Sequence, residues 1–288
     1  MQGPRTILGW ITFAVALCAA SAGLGLLGGP VAFAAEEDAM LREAHPWARF
    51  GKGAWRQVRI ITEGFDEQGH STGSTVTDNK TTVEEVTPDR VTLKVEATVE
   101  VSGQRFPSQP QILKQGYAGE TVGQATEVKV LEPETIVIDG QSLRCETRQI
   151  EILGGVTREI TRINYLTGHQ PTILRRQTTT SDAAGAKPLH EGTTEVRAVQ
   201  MTRRVLDEAE PKAAFLVRQE QRNDRGLTIS WAWHVPEVPG EVVDQTSKKL
   251  DTAGRLVRRT TLELVAYGDA EGEPPPDPAG RRSRRKRR

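Results

Sequence analysis

The sequence predicts an all-β protein: an antiparallel meander plus a duplicated four-stranded unit, forming a curved sheet or half-barrel-like structure with a short N-terminal helix. Thr and Val are abundant after residue 50, the segment "RVTLKVEATVEVS" alternates strictly, and residues 145–200 and 214–267 repeat one pattern. β-branched residues favour strands. The pattern implies ten or more strands, and a sheet of that size tends to curl, split or close.

The helix is predicted within residues 36–50, "EEDAMLREAHPWARF". Acidic residues at its start suit the positive end of a helix. Pro46 pushes the preceding residue out of the helical region, so the helix should end near Ala44. We therefore divide the chain after residue 34 into a lead-in, 35–53, and an antiparallel β domain, 54–268.

The meander is predicted from residue 54 to 102, with turns at "DEQGHSTG" and "TPD". Its last strand has the clearest alternation. One face carries only apolar side chains and the other only polar ones, which indicates a core face and a solvent face. The apolar positions are Val91, Leu93, Val95, Ala97, Val99 and Val101.

The internal repeat has an offset of 67 to 69 residues. Each copy contains a strand, a Gly turn, a strand with aromatic or bulky residues, a Pro/Gly turn, a strand, a "DAAG" or "DTAG" turn and a strand. Because neither copy has a helical stretch between its strands, the strands should connect as antiparallel hairpins. We interpret Ile163 and Tyr165 as the counterparts of Trp231 and Trp233.

The N-terminal segment 1–34 is predicted to be a signal peptide, so the protein is expected to be exported to the periplasm, the cell envelope or the medium. Arg5 is the only charged residue before Glu36, and "Ala32-Phe33-Ala34" fits a cleavage site after residue 34. The uncharged stretch is also long enough for an uncleaved anchor, which needs about 20 residues. Cys18 would suggest a lipoprotein, but Leu17 before it is too large for such a site.

No catalytic, cofactor or metal site is predicted. "Gly69-His70-Ser71-Thr72-Gly73" matches the nucleophile-elbow pattern of hydrolases, but it lies in a polar turn between strands rather than before a helix. Cys145, which is the single cysteine after residue 34, should be a buried small hydrophobe. The histidines show no metal-binding spacing and are expected in turns or at the surface. They are His45, His70, His169, His190 and His234.

Trp231 and Trp233 are two residues apart and should share one face of a strand with Leu227, Ile229 and Val235. This bulky face is either ordinary core or the wall of a ligand cavity. Ile163 and Tyr165 would line the equivalent place in the other repeat. The segment "VPEVPG", residues 235–240, is interpreted as a rigid turn between strands.

The zero net charge hides a basic end. The last eight residues carry +7, whereas the chain without them and without Arg5 has 30 basic and 38 acidic residues. We predict a Pro-rich acidic linker, 269–280, and a disordered tail, 281–288. The tail either aids solubility or binds an anionic surface polymer or membrane; without interleaved aromatics, no specific nucleic-acid recognition is expected. The candidate residues are Arg281, Arg282, Arg284, Arg285, Lys286, Arg287 and Arg288.

Three segments resemble a group of uncharacterised exported proteins typical of planctomycete-type bacteria. They are "HPWARFGKGAW", "RFPSQPQILKQGYAGE" and "HVPEVPGEVV…LDTAGRLVRRTTLELVAY". This resemblance implies no known activity. More distantly, the repeated strand, Pro turn, strand, "D-x-x-G", strand pattern resembles the lipoprotein-localisation half-barrel fold. That resemblance implies a curved antiparallel sheet around a hydrophobic cavity that receives lipid.

The sequence therefore predicts an exported, non-catalytic β protein that binds an apolar ligand or lipid. The alternative is a structural or surface-attached protein held by its basic tail. A hydrolase is the third class considered, and it would require Ser71 to meet a histidine and an acid in space.

Overall fold

A computed structural model describes residues 35–121, 124–185 and 187–269. Helix α1 spans Ala35–Ala44. The first eight strands are β1 (Trp55–Phe65), β2 (Ser71–Val86), β3 (Arg90–Val101), β4 (Gln104–Pro107), β5 (Gln111–Gly116), β6 (Ala125–Ile138), β7 (Gln141–Leu153) and β8 (Thr157–Tyr165). They continue with β9 (Ile173–Asp182), β10 (Pro188–Arg203), β11 (Lys212–Asn223), β12 (Gly226–His234), β13 (Val242–Leu250) and β14 (Leu256–Gly268).

All fourteen described strands belong to a single antiparallel sheet. Its order is β4-β3-β2-β1-β14-β13-β12-β11-β10-β9-β8-β7-β6, with β5 pairing beside β4 on β3. The two repeat segments form β7–β10 and β11–β14, and the first meander joins the second segment through β1 and β14. The sequence had left open one sheet or two, and the pairing shows one.

The connection between β5 and β6 requires this sheet to curl. These consecutive strands lie at opposite edges, which a flat sheet would hold roughly 58 Å apart, at about 4.8 Å per strand. The chain between Gly116 and Ala125 can span only about 32 Å when fully extended. The edges must therefore bend toward each other.

The main core shows which face lies inside the curl. It joins Val83 and Leu93 of β2 and β3 to Ile150 and Ile163 of β7 and β8, although these strands are far apart in the sheet order. Helix α1 and the segment after it fill the space between them, with Met40, Leu41, Trp47 and Ala48 buried. We call the face that meets this core the inner face, and the opposite one the outer face.

The β6–β7 hairpin extends past the end of β8, and its tip packs on strands in the middle of the sheet. Ile136, Ile138 and Cys145 form a second core with Val196 and Val217. A register shift in β6 between Leu131 and Glu134 accompanies this bend. The hairpin thus covers part of β10 and β11.

The predicted fold class is confirmed. The protein is all-β and antiparallel, the sheet is curved, and a short helix ends at Ala44 as expected from Pro46. The apolar alternation of β3 also points inward, since Val91, Leu93 and Val95 are all buried. Among the described residues, no helix is long and apolar enough to cross a membrane.

Candidate functional site

The inner face carries a row of small polar side chains across seven neighbouring strands. Residues directly opposite each other in paired strands point to the same face. Following these pairs from β10 to β2 shows one hydroxyl or amide residue on every strand. This polar row consists of Thr194, Gln219, Ser230, Ser247, Thr260, Thr62 and Thr75. It follows the arc of the sheet for roughly 29 Å, at about 4.8 Å per strand.

Two further rows flank the polar row on the same face. On one side, toward the core, lies an apolar row of Val196, Val217, Ala232, Gln245, Leu262, Ile60 and Thr77. On the other side lies a row that contains two cations, composed of Gly192, Gln221, Thr228, Lys249, Arg258, Gly64 and Gly73. We call this second one the basic row. None of these 21 described positions is a carboxylate.

The outer face of the same strands has the opposite character. It carries the acids Glu63, Asp78, Glu195, Glu220, Asp244 and Glu263. Most form ion pairs with arginines on that face, including Arg59 Nε to Asp78 Oδ1 at 2.9 Å and Arg259 Nε to Glu63 Oε2 at 2.6 Å. Most acids of the outer face therefore have a cationic partner on the same face, as is usual for a solvent-exposed surface.

The polar row is left largely unpaired within the described chain. Ser230 Oγ donates to Ser247 Oγ at 3.0 Å, and no other side chain of the row has a hydrogen bond to a described residue. Hydroxyl and amide groups can both donate and accept. The inner face thus presents a neutral, hydrogen-bonding surface that faces into the curl.

The lead-in segment and the start of β1 dock on the turn between β12 and β13. Arg56 Nη1 donates to the carbonyl oxygens of Gly240 and Val242, both at 3.0 Å, and its guanidinium lies 5.2 Å from the Trp47 ring centre. The Gly240 N–H in turn donates to Pro46 O at 2.9 Å. Burial lowers the pKa of Arg56 to about 10, with Glu241 opposing the shift.

Glu241 extends this junction to two more elements. Arg49 Nη2 donates to its Oε1 at 2.5 Å, and His234 Nδ1 lies 3.3 Å from its Oε2. His234 also stacks on Phe215, with ring centres 5.1 Å apart. The Glu241 carboxylate therefore connects the lead-in to the end of β12. These contacts give Glu241 a structural role.

His45 lies at the turn that follows α1, which is one of the two expected positions, but it is buried at the same junction, at 8% exposure. The Trp47 N–H donates to His45 Nδ1 at 3.3 Å, which requires the neutral ring. Burial is the main cause that lowers the pKa of His45 to about 4; Arg176 adds to the shift and Glu241 opposes it.

His45 should make the fold acid-sensitive. Its folded pKa lies below the unfolded value of 6.5, so the unfolded chain binds the proton first and stability falls as pH drops from 6.5 toward 4. At pH 5 we expect a loss of about 2 kcal/mol from this group relative to pH 8. His45→Asn keeps an acceptor for Trp47 without the titration. The free energy of unfolding would be measured in urea at pH 8 and pH 5 for the unsubstituted protein and for His45→Asn. An equal loss of this free energy in the two proteins would contradict the prediction.

Ile163 and Tyr165 lie on the inner face, within the main core, at 0% and 1% exposure. The Tyr165 hydroxyl donates to Glu146 Oε2 at 2.6 Å, and burial first, then this hydrogen bond, raise the pKa of Tyr165 to about 12. Both side chains are packed beneath α1 and the lead-in.

Trp231 and Trp233 lie on the outer face, so the four predicted cavity residues do not share one wall. The directly opposed residues run from Ile163 through Arg176, Thr194 and Gln219 to Ser230, not to Trp231. Trp231 is 41% exposed, and the guanidinium of Arg218 lies 5.8 Å from its ring centre. The correspondence drawn from the repeat was wrong by one residue, which in a strand exchanges the faces.

The other sequence candidates show no assembled chemistry. Ser71 starts β2 after a turn, and its Oγ accepts the Gly73 N–H; His70 pairs instead with Asp66, at 3.4 Å. Cys145 is fully buried and its thiol donates weakly to Leu143 O, while burial raises its pKa. In the described part of the chain, no group of three or more His, Cys, Asp or Glu could hold a metal. Residues 235–240 form the predicted turn.

Two predicted regions lie outside the described residues: the signal segment, 1–34, and the linker and tail from 270 to 288. Sequence reasoning missed the polar and basic rows, because their members come from segments up to 198 positions apart, from Thr62 to Thr260. It also missed the junction, although "HPWARFGKGAW" and "HVPEVPGEVV" were both singled out. The structure shows that these two segments are in direct contact, through the hydrogen bond from the Gly240 N–H to Pro46 O.

Comparisons with known proteins complete the description of the site. No family model matches the chain, and no curated protein matches it. A crystal structure from Bacteroides fragilis NCTC 9343, described as a candidate exported protein with a YmcC-like fold, aligns at 10% identity and a TM-score of 0.28, covering 75% of this chain and 97% of that one. A candidate lipoprotein from Parabacteroides distasonis ATCC 8503 aligns at 11% identity and 0.29, covering 75% and 96%. Similarity this low supports no conclusion about function.

Proposed function

We propose that this chain is an exported, non-catalytic binding protein whose inner face holds a hydroxyl-rich polymer, most simply an envelope polysaccharide. The polar row carries this proposal. Seven successive strands each present one hydroxyl or amide side chain to the same concave face. Groups that donate and accept hydrogen bonds suit the hydroxyls of a sugar chain.

The polar row weighs against the apolar ligand or lipid predicted from the sequence. An acyl chain lying on this row would bury hydroxyls without partners, at a cost of roughly 1–3 kcal/mol each. Several strongly apolar inner positions are already occupied, since Ile163 and Tyr165 pack in the core and Val196 and Val217 pack under the β6–β7 tip. A hydrogen-bonding ligand therefore fits the exposed part of the face better.

Export rests on the N-terminal segment. The absence of catalysis rests on the contacts of Ser71: its Oγ accepts from the Gly73 N–H, and the neighbouring His70–Asp66 pair forms no hydrogen bond with it. The resemblance to exported planctomycete-type proteins supports the same compartment. Attachment to an anionic surface through residues 281–288 remains the alternative prediction, and it rests on composition alone.

The polar row can be tested with paired substitutions. Thr62→Val with Thr260→Val removes two directly opposed hydroxyls from the inner face. Two lost hydrogen bonds should weaken binding by about 1–3 kcal/mol in total. Thr246→Val with Thr261→Val is the matched control, because these residues are directly opposed on the outer face of β13 and β14. Binding would be measured by calorimetry with dextran and methyl-esterified polygalacturonate.

A fluorescent fatty acid serves as the apolar competitor. The proposal expects glycan binding that weakens in the inner variant and is retained in the outer variant. Tight fatty-acid binding together with no glycan binding would overturn it and favour the lipid carrier.

A further inference from the structure

Lys249 and Arg258 stand directly opposite each other on the inner face, next to the polar row. Like charges in directly opposed positions destabilise a sheet. Both side chains are half-buried, and neither forms an ion pair with a carboxylate in the described part of the chain. The strands therefore hold two cations together without an internal anion.

The outer face of the same two strands shows how the chain treats an equivalent pair. Lys248 and Arg259 are also directly opposed, but the next residue in that row is Glu63, which accepts from Arg259 at 2.6 Å. On the inner face the corresponding neighbour of Arg258 is Gly64. The outer pair has its counter-charge built in, whereas the inner pair has none.

Two glycines follow the inner pair along the basic row. Arg258 is opposite Gly64, and Gly64 is opposite Gly73 on the next strand, so two strands in succession carry no side chain in the basic row. A Cβ added at Gly73 would meet nothing within 4 Å, whereas one added at Gly64 would lie 2.6 Å from Thr72 Oγ1. The row is therefore open at Gly73, and at Gly64 the Thr72 hydroxyl borders the space beside the two cations.

Acidic residues are absent from the three inner rows, although the chain outside its two ends has an excess of acids. Asp251, two residues after Lys249, pairs with Arg255 at 2.8 Å. The 21 described positions of the apolar, polar and basic rows include two cations and no carboxylate, while the outer rows of the same strands include six acids. Charge complementarity therefore favours an anionic ligand on the inner face and not on the outer one.

We propose that the polymer on the inner face is an anionic polysaccharide, with Lys249 and Arg258 binding a carboxylate or sulfate group while the polar row binds the sugar hydroxyls. This inference rests on the proposed function and narrows its ligand class. The anion supplies the counter-charge that Glu63 supplies on the outer face. A phosphoryl or carboxylate group without the sugar chain would reach the cations but leave the polar row empty.

The test compares one sugar chain with and without its charge. Hexagalacturonate and its methyl ester would be titrated into the full chain by calorimetry, with dextran sulfate and dextran as a second pair. We expect the acidic form of each pair to bind about tenfold more tightly or better, as for charge-assisted hydrogen bonds. Lys249→Gln with Arg258→Gln should remove most of this difference between the acidic and neutral forms.

Lys248→Gln with Arg259→Gln is the matched control, since it removes two charges from the same strands on the outer face. Every variant keeps residues 281–288, so any contribution of the basic tail is common to all. The inner variant should also melt at the same or a higher temperature than the unsubstituted protein in the absence of ligand, because it loses a like-charge pair.

The outcomes separate the two proposals. If acidic and neutral forms bind equally, or if the outer control loses as much affinity as the inner variant, the anionic specificity is overturned while the polysaccharide function stands. If none of the four glycans binds, the polysaccharide function fails and this inference fails with it.

Discussion

Arg56→Ala is expected to destabilise the protein by about 3–5 kcal/mol, because the substitution removes two hydrogen bonds to the β12–β13 turn and opens a cavity beside Trp47. The guanidinium donates to Gly240 O and Val242 O, and it fills the space between the lead-in and the β12–β13 turn. Its loss should detach the lead-in from the sheet and expose part of the main core. Equilibrium urea unfolding followed by tryptophan fluorescence measures the effect.

Arg59→Ala is the matched control for Arg56. Arg59 lies on the same strand but on the outer face, where it pairs with Asp78 and is about half exposed. An exposed ion pair contributes about 0–1 kcal/mol, so this variant should stay close to the unsubstituted protein. Equal stabilities for the two variants would show that the junction does not hold the lead-in.

Gly240→Ala is expected to cost about 2–5 kcal/mol, the second-largest effect. Gly240 has φ +74°, a conformation that costs an L-residue about 1–2 kcal/mol. A Cβ at this position would also lie 2.5 Å from Cζ2 of Trp47 and 2.9 Å from Cζ of Arg56. Overpacking of this kind adds about 1–3 kcal/mol.

Gly254→Ala separates the two causes. Gly254 has φ +80°, but a Cβ there would meet nothing within 4 Å. This variant should therefore lose only the backbone contribution, about 1–2 kcal/mol. If Gly240→Ala unfolds at the same urea concentration as Gly254→Ala, the contact with Trp47 is not tight and the junction is looser than described.

Both large effects centre on a contact that no local pattern could predict. "HPWARFGKGAW" reads as an irregular lead-in and "VPEVPG" as a turn, and each description is correct by itself. Their meeting depends on β1 pairing with β14, which brings residue 56 beside residue 240. Pairing between strands from the two ends of the chain has no signature in either segment.

The alignment of residues 145–200 with residues 214–267 predicted the strands correctly but assigned side chains to the wrong face. The turns and strand lengths of the two copies aligned well enough to predict four antiparallel strands in each, and β7–β10 and β11–β14 agree with that. The same alignment placed Trp231 opposite the wrong face, because a shift of one residue does not disturb the turn pattern but exchanges the faces of a strand. Asn164, rather than Ile163, shares the face of Trp231.

The candidate site could not be predicted from the sequence either, because it also depends on the register between strands. Thr, Ser and Gln occur throughout this sequence, and nothing marks Thr62, Ser247 or Thr260 as neighbours until the strand register is known. Lys248 and Lys249 look like equal members of a basic pair in "SKKL". The face on which each lies distinguishes them: the row of Lys248 contains Glu63, which pairs with Arg259, whereas the row of Lys249 contains no carboxylate.

The sequence by itself determined the all-β class, the antiparallel hairpins, the helix end before Pro46 and the inward apolar face of β3. These features depend on side-chain alternation and turn residues within about ten positions, which are local properties. The tertiary structure decided that the strands form one curled sheet, that His45 and Arg56 are buried at a junction, and that the inner face carries polar and basic rows. Those features depend on register between distant strands, where one residue changes which side chains meet.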